Sequence, residues 1–478
     1  FRIILLTILK IGIPINFMEK TIKNHHMQAT IKSKTTKVQA YQAYKDSGVE
    51  WLGEIPEHWE LGRLGSILSP VSSKNHPNET LLSITREQGV IVRDLDDEDV
   101  NHNYIPDDLT GYKLLKEGQF GMNKMKAWQG SYGVSNYTGI VSPAYYTFEF
   151  TKDIEPRFFH LAIRSKLYVS FFGKASDGVR IGQWDLSKDR MKRIPLAIPS
   201  LAEQTAIAQF LDDKTTKIEE AIAIKQQQID LLKERKQILI QKAVTKGVTS
   251  SGVEMKDSGV EWIGEIPMHW DIKRLKYLGN IFPGITGKSG DDFSKDEKVG
   301  FKPFIPFTSI FNSQTINKSK HQYVNIRDNE NQNKIRKGDI LFLMSSETLD
   351  DIGKSSIYLE EEDELYLNSF CKGFRVNYSN VTSEFINHSL QSKSYRHYFS
   401  LKGRGFTRIN IKQEFVLDVL IPIPPLSEQK EISAYIETAS QKIETAIVLK
   451  QQEIEKLKEY KSSLINSCVT GKVKVSGI

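Results

Sequence analysis

Apolar positions follow two different rhythms along this chain. From Leu201 to Lys246 there is no Pro or Gly, and Glu, Gln, Lys, Ile and Leu dominate, a composition that favours helix. Within that stretch Ile218, Ile222, Ile229, Leu232, Leu239 and Ala243 recur in steps of three and four, with Lys225 and Lys236 standing where an apolar residue is missing. Moving 225 residues along gives Ile443, Ile447, Ile454, Leu457, Leu464 and Cys468, with Lys450 and Lys461 at the same gaps. This is a heptad seam, present twice with the same polar interruptions.

Two helices with matching seams in one chain pack most simply against each other, and an antiparallel pair would carry a different domain at each end. About 45 residues at a rise of ~1.5 Å make a rod of roughly 65–70 Å. Such a rod could hold two modules a fixed distance apart. The seam lysines have two readings: they snorkel out of the seam, or they mark where helices of another subunit join. Prolines precede both helices, and Ser200 with Glu203 has the spacing of a capping box. Glu203-Gln204 and Glu428-Gln429 fall in the first turns, where negative charge suits the helix dipole, and are read as structural caps.

Short β-like runs and turns fill the rest of the chain, arranged as a duplication. KDSGVEWLGEIPEHW from Lys45 to Trp59 returns as KDSGVEWIGEIPMHW from Lys256 to Trp270, identical at thirteen of fifteen positions. IPSLAEQ from Ile198 returns as IPPLSEQ from Ile423. The first box repeats at an offset of 211 residues and the second at 225, so the intervening segment is 14 residues longer in the second half. Those intervening segments, roughly 63–194 and 274–419, share little else. A retained frame with divergent inserts suggests one scaffold presenting two recognition surfaces; the alternative is a tandem repeat that drifted, although drift alone does not usually spare the boxes while scrambling the middles.

Each variable segment reads as a small α/β domain. In the first, Ile140-Val141 and Tyr145–Phe150 are expected as strand and Phe158–Phe172 as helix; in the second, Asp339–Met344 as a buried strand and Ser383–Phe399 as helix. Asn123–Gly130 and Ser345–Thr348 are expected as polar loops, and so are Ser176–Arg180 and Gly403–Arg408 just before the closing boxes. Glycines let backbone approach phosphates, while Arg, Lys, Gln and Asn reach phosphates and base edges. The candidate DNA-contacting residues are therefore Lys124, Lys126, Gln129, Arg180, Gln183, Lys288, Ser345, Ser346, Arg404, Thr407 and Arg408. Taken singly, each is more often a solvated surface group than a base reader.

Composition sets the limits. At 478 residues the chain is long enough for two to four domains, and 39% hydrophobic with 26% charged residues describes a globular protein. A net charge of +6 permits nucleic-acid binding without requiring it. Cys371 and Cys468 have no companions at metal or disulfide spacing, which fits a reducing cytoplasm. The apolar stretch Ile3–Phe17, broken by Lys10 and Pro14, is too short for a membrane span. Residues 1–40 are set apart from the fold argument as an extension, expected to be either disordered or an upstream-translation artefact with the start at Met18 or Met27.

Catalytic motifs fail on inspection. Gly284–Ser289 (GITGKS) has two residues between its glycines where a phosphate loop needs four. Ser142-Pro143-Ala144-Tyr145 lacks the acid or amide and the second proline of an adenine methyltransferase tetrapeptide. His25, His26, His58 and His269 form no metal-spaced set, and no metal site is expected.

The paired GVEWLGEIPEHW and GVEWIGEIPMHW boxes, with the IP-x-L-x-EQ box opening a long helix, resemble the specificity subunits of type I restriction–modification systems. GDILFLMSS around Gly338 and NKMKAWQGSYGVSNYTGIVSPAYYTF from Asn123 also look like target-recognition domains of that family. The resemblance covers residues 41–475. It implies a mixed α+β fold: two α/β target-recognition domains separated by two long antiparallel helices forming a coiled coil, with pseudo-twofold internal duplication. The corresponding segments are an extension (1–40), a first recognition domain (41–199), a first helix (200–246), a linker and second recognition domain (247–424), and a second helix with tail (425–478). Each domain would read half of a split DNA target from the major groove. The helices, through Ile218, Ile222, Ile229, Leu232, Leu239, Ile443, Ile447, Ile454, Leu457 and Leu464, would set the gap and dock two modification (methyltransferase) subunits, with restriction (translocase–nuclease) subunits joining later. No cofactor is expected in this chain; S-adenosylmethionine, ATP and Mg2+ would belong to the partners. The competing reading is a non-enzymatic coiled-coil scaffold whose variable domains bind proteins.

Overall fold

The computed structural model describes residues 40–94, 105–178, 184–249, 252–316, 321–327 and 329–475. The chain divides into two compact units. The first combines residues up to Glu219 with those from Leu457 onward, and the second runs from Glu220 to Lys456. Each unit thus takes one variable domain and a portion of both long helices, Leu201–Lys246 and Leu426–Val469.

In the first unit the opening box makes a hairpin, Tyr44–Asp46 against Glu54–Pro56. The following strand Glu60–Arg63 pairs with Pro195–Ile198, the strand that leads into the closing box. Between them lies a four-stranded antiparallel sheet in the order Leu68–Val71, Tyr146–Phe150, Phe120–Met122, Tyr132–Val134. Two helices, Pro156–Ile163 and Lys166–Lys174, share a core with it, in which Phe120 meets Phe159 edge-on at 5.2 Å. Ile207 and Leu211 of the first long helix and Cys468 and Val469 of the second are buried in the same core.

The second unit repeats the frame. Met255–Asp257 pairs with Glu265–Pro267, and Asp271–Arg274 pairs with Leu420–Ile423. Its main sheet has five strands, ordered Gly279–Pro283, Cys371–Val376, Ile340–Leu343, Ser355–Tyr358, Thr315–Ile316, the last pair parallel. A second sheet of four strands is ordered Phe293–Ser294, Gln322–Asn325, Phe301–Ile305, Tyr366–Leu367. Helices Ser383–Gln391 and Lys393–Lys402 share a core with Ile240, Ala243 and Val244 of the first long helix and Ile432 and Ile436 of the second.

Both expected domain helices are broken once, at Ser165 and at Ser392, each buried and extended with ψ near 150°. The break redirects the second short helix so that its aromatic face meets the box tryptophan. Tyr168 and Phe171 contact Trp51, at 5.5 Å edge-on and 3.5 Å stacked. Tyr395 and Tyr398 contact Trp262 in the same two ways, at 4.8 and 5.4 Å. A heptad-like apolar pattern cannot reveal such a break, because the residues on either side keep helical spacing.

The seam is apolar and antiparallel in both units. Ile218, Ile229, Ile443 and Ile454 are buried, and Ile222, Leu232, Leu239, Ile447, Leu457 and Leu464 are half-buried. The seam lysines reach across it. In the second unit Lys225 Nζ lies 2.6 Å from Glu453 and Lys236 Nζ lies 2.7 Å from Glu444, so the numbering rises on one helix as it falls on the other. In the first unit Lys461 pairs with Glu219. Lys450 instead turns to Glu453 on its own helix, because the position related to Glu453 by the 225-residue repeat is Gln228.

Candidate nucleic-acid interface

The two boxes meet at one locked joint in each unit. Glu203, in the first turn of its helix, caps Ser200 (Ser200 Oγ donates to Oε2 at 3.0 Å) and holds the opening box through His58 Nε2 at 3.0 Å and Trp59 Nε1 at 3.4 Å. Burial opposes ionisation of Glu203, but hydrogen bonds from His58 and Ser200 outweigh it and leave the carboxyl below its ordinary range. Glu428 repeats the arrangement with His269 Nε2 at 2.7 Å and Trp270 Nε1 at 3.0 Å. The adjacent glutamines orient the domain helices. Gln204 Oε1 accepts from Glu155 N at 2.9 Å, and Gln429 Oε1 accepts from Thr382 N at 2.8 Å. Glu155 and Thr382 are the N-caps of Pro156–Ile163 and Ser383–Gln391. The EQ dipeptide therefore does more than cap its own helix; it fixes where each variable domain sits on the frame.

On that frame the separate polar segments come together in pairs. In the first unit Leu186 N donates to Lys124 O at 3.1 Å, Lys124 Nζ lies 3.2 Å from Asp185, and Trp128 meets Trp184 at 5.1 Å. The 123–130 loop is thereby joined to the short ladder Ser176–Asp177/Asp185–Leu186. In the second unit Ser345-Ser346 pairs with Ile409-Asn410, joining the 345–348 segment to the 403–408 loop.

The candidate residues divide accordingly. Lys126 is exposed, and Lys124 and Gln129 are half-exposed. Arg404, Thr407 and Arg408 are exposed on one hairpin. Arg180 and Gln183 lie outside the described residues. Ser345 and Ser346, expected in an open loop, form a buried two-residue strand, because the 403–410 hairpin covers them. Lys288, expected as an available cation, is turned inward with a 6% exposed side chain and pairs with Glu330 at 2.6 Å. Gly284 in that stretch is explained by packing: a Cβ there would lie 2.1 Å from Asn368 O.

Sequence reading missed a lysine cluster in the first unit. Lys113 feels burial first and then the like charges of Lys188, Lys74 and Lys124, which together push its pKa down. Lys113 Nζ donates to Tyr145 O at 2.6 Å, and Lys188 lies over the Tyr146 ring at 4.3 Å. The four lysines come from four separate stretches of chain, so no local motif announces them. Concentrated positive charge of this kind is what a phosphate backbone selects.

A different surface lies on the first long helix, where Ile224, Leu231 and Ile238 stand seven residues apart and are 55%, 64% and 58% exposed. This stripe is separate from the buried seam. Ile238 also lines a cleft of about 680 Å³ in the second unit, with Ile310, Phe311, Gln391 and Arg396. Gln391 Oε1 and Arg396 Nη1 are buried there without hydrogen-bond partners. Burial pushes the thiols of Cys371 and Cys468 up to about 12, far from the nucleophilic thiolate. Among the described residues no helix is long and apolar enough to cross a membrane.

Comparison with known proteins places this architecture. Residues 122–233 and 267–458 match the family described as Type I restriction modification DNA specificity domain. The MjaVIII type I restriction enzyme specificity subunit of Methanocaldococcus jannaschii is 24% identical over 446 residues, covering 91% of this chain and 98% of its own. A chain of a type I R-M system, solved in work on its complex assembly and conformational transition, shares the fold with a TM-score of 0.62 at 16% identity, over 87% of this chain and 98% of its own. The HsdS subunit from Thermoanaerobacter tengcongensis superposes with a TM-score of 0.50 at 15% identity, over 88% and 98%.

Proposed function

The chain belongs to the type I restriction–modification DNA specificity family, and from that premise we propose that it selects the DNA sequence on which a multi-subunit restriction–modification enzyme acts. Each unit reads one half of a two-part target. The observation that carries this reading is the pairing of divergent polar loops on a repeated locked frame, once with a lysine cluster and once with an arginine hairpin. Matching joints position the loops; different loops read different bases.

The helices set the number of unread base pairs between the halves and receive two modification subunits. The exposed Ile224–Leu231–Ile238 stripe supports the second role, since a heptad-spaced apolar face outside the seam is what another helix packs against. The cleft beside Ile238, lined also by Ile310 and Phe311, offers a recess to a segment laid into it. Methyl transfer, translocation and cleavage are assigned to the partner subunits, with their S-adenosylmethionine, ATP and Mg2+. The DNA candidates in this account are Lys124, Lys126, Gln129, Arg404, Thr407 and Arg408, with Lys74, Lys113 and Lys188 on phosphates.

The test is duplex binding as a function of salt, with and without a modification subunit. A sequence-specific complex should form and weaken steeply as salt rises, because phosphate contacts release counterions. Absence of any salt-sensitive, sequence-specific shift would refute the reading.

A further inference from the structure

We propose that Phe406 is an apolar wedge that enters the base stack of the half-site read by the second unit; this rests on the DNA-reading function proposed above. Phe406 is 102% exposed, at the tip of the 403–410 hairpin. A single exposed hydrophobe carries no meaning by itself. Here, however, the surrounding hairpin is built to hold the ring out. Arg404 and Asn410 exchange both backbone hydrogen bonds, at 3.0 and 2.8 Å, and Asn410 Nδ2 donates to Arg408 O at 3.2 Å. Gly405 has φ +141°, and a Cβ there would lie 2.0 Å from Arg408 O, so the backbone turns as only glycine allows. The base of the hairpin is tied to the buried Ser345-Ser346 strand. Ordering the ring on DNA would therefore require little loss of backbone freedom.

The neighbours fit the same role. Arg404 spends its Nη1 on Leu401 O and Gly403 O, at 2.8 and 2.7 Å, which stiffens the loop while leaving a guanidinium charge at its edge. Arg408 stacks on the exposed Phe370 ring at 4.9 Å. Two cations thus flank an uncharged tip and would straddle the strand while the ring goes in. Both faces of Phe406 are open, which intercalation requires; touching a thymine methyl would need only one. Gly405 and Thr407 on either side are small enough for the backbone to come close to the duplex.

The experiment uses the complete assembly with modification subunits and duplexes carrying the motif it methylates. 2-Aminopurine is placed at successive positions of the second half-site, leaving the methylated adenine itself unsubstituted. The expected result is a several-fold fluorescence rise at one step with the wild-type chain. Phe406→Ala should abolish that rise and weaken binding about tenfold with an unchanged salt slope, while Phe406→Trp retains both. Equal fluorescence with wild type and Phe406→Ala, or an affinity loss reproduced by replacing thymine with uracil without any fluorescence rise, would overturn the wedge. A wild-type assembly that binds no duplex in a salt-dependent way would instead overturn the DNA-reading function itself.

Discussion

Lys236 Nζ lies 2.7 Å from Glu444 Oε1 across the seam of the second unit. Advancing the lysine by 225 residues and taking the glutamate back by 225 gives Lys461 and Glu219, which pair in the first unit. The internal repeat is thus a repeat of contacts as well as of letters. A polar residue at a seam position lowers stability but fixes register: a slip by a heptad would set Lys225 against Ala446 or Tyr460 in place of Glu453.

Energetically these pairs are modest, because Glu444 remains half-exposed. Lys236→Ala should cost about 1 kcal/mol or less. Lys236→Glu should do more harm, setting like charges face to face, and the exchange Lys236→Glu with Glu444→Lys should restore most of the loss. Denaturant unfolding of the three variants reads this directly; an exchange variant no better than Lys236→Glu alone would show that the pair does not set the register.

Glu203 and Glu428 make the same contacts to a box histidine and tryptophan at different burial. The Glu203 side chain is 4% exposed, whereas the Glu428 side chain is 35% exposed. Removing Glu203 leaves the buried Trp59 indole without an acceptor, so Glu203→Ala should cost about 2–4 kcal/mol and Glu428→Ala about half as much. The Glu203 contribution is present above its ordinary pKa of 4.5 and fades as pH falls through the depressed folded value. Amide exchange around Trp59 and around Trp270 should report the two losses separately, and equal protection loss at both would contradict the burial argument.

Each unit also contains a histidine held neutral. Burial, reinforced by Arg164 and Arg157, lowers His160 to about 3, and its Nδ1 accepts from Val134 N at 3.2 Å. Burial, reinforced by Lys236, lowers His388 to about 4. Below the ordinary value of 6.5 the unfolded chain takes up a proton that the folded chain refuses, so stability falls as pH drops from 6.5 toward 4. His388→Gln should flatten that dependence by about 3 kcal/mol between neutral pH and pH 4, measured as the difference from wild type in denaturant unfolding. An unchanged slope would mean that His388 is protonated in the folded state.

The frame was legible because its signals are local and doubled. The boxes, the seam and the cap at Ser200 each occupy a few residues whose spacing speaks for itself. What the loops do was not legible, because it depends on which distant segments fold against them. Ser345 and Ser346 look like loop residues until Ile409-Asn410 is laid across them, and Lys74, Lys113, Lys124 and Lys188 become one charged patch only in three dimensions. Three of the four seam lysines, equally compatible with snorkelling and with a partner's helices, resolve into cross-seam ion pairs once the antiparallel register is known, while Lys450 pairs along its own helix.

That the helix pair measures the distance between two independent readers can be tested by inserting one heptad into both helices, within Lys225–Leu239 and at the facing positions of the second helix, which preserves the register. Seven residues add about 10 Å, close to three base-pair steps. Mapping methylated adenines in a host carrying the altered chain should show the same two half-site sequences separated by a longer gap, up to about three base pairs. A motif whose bases change while its gap stays fixed would contradict the account.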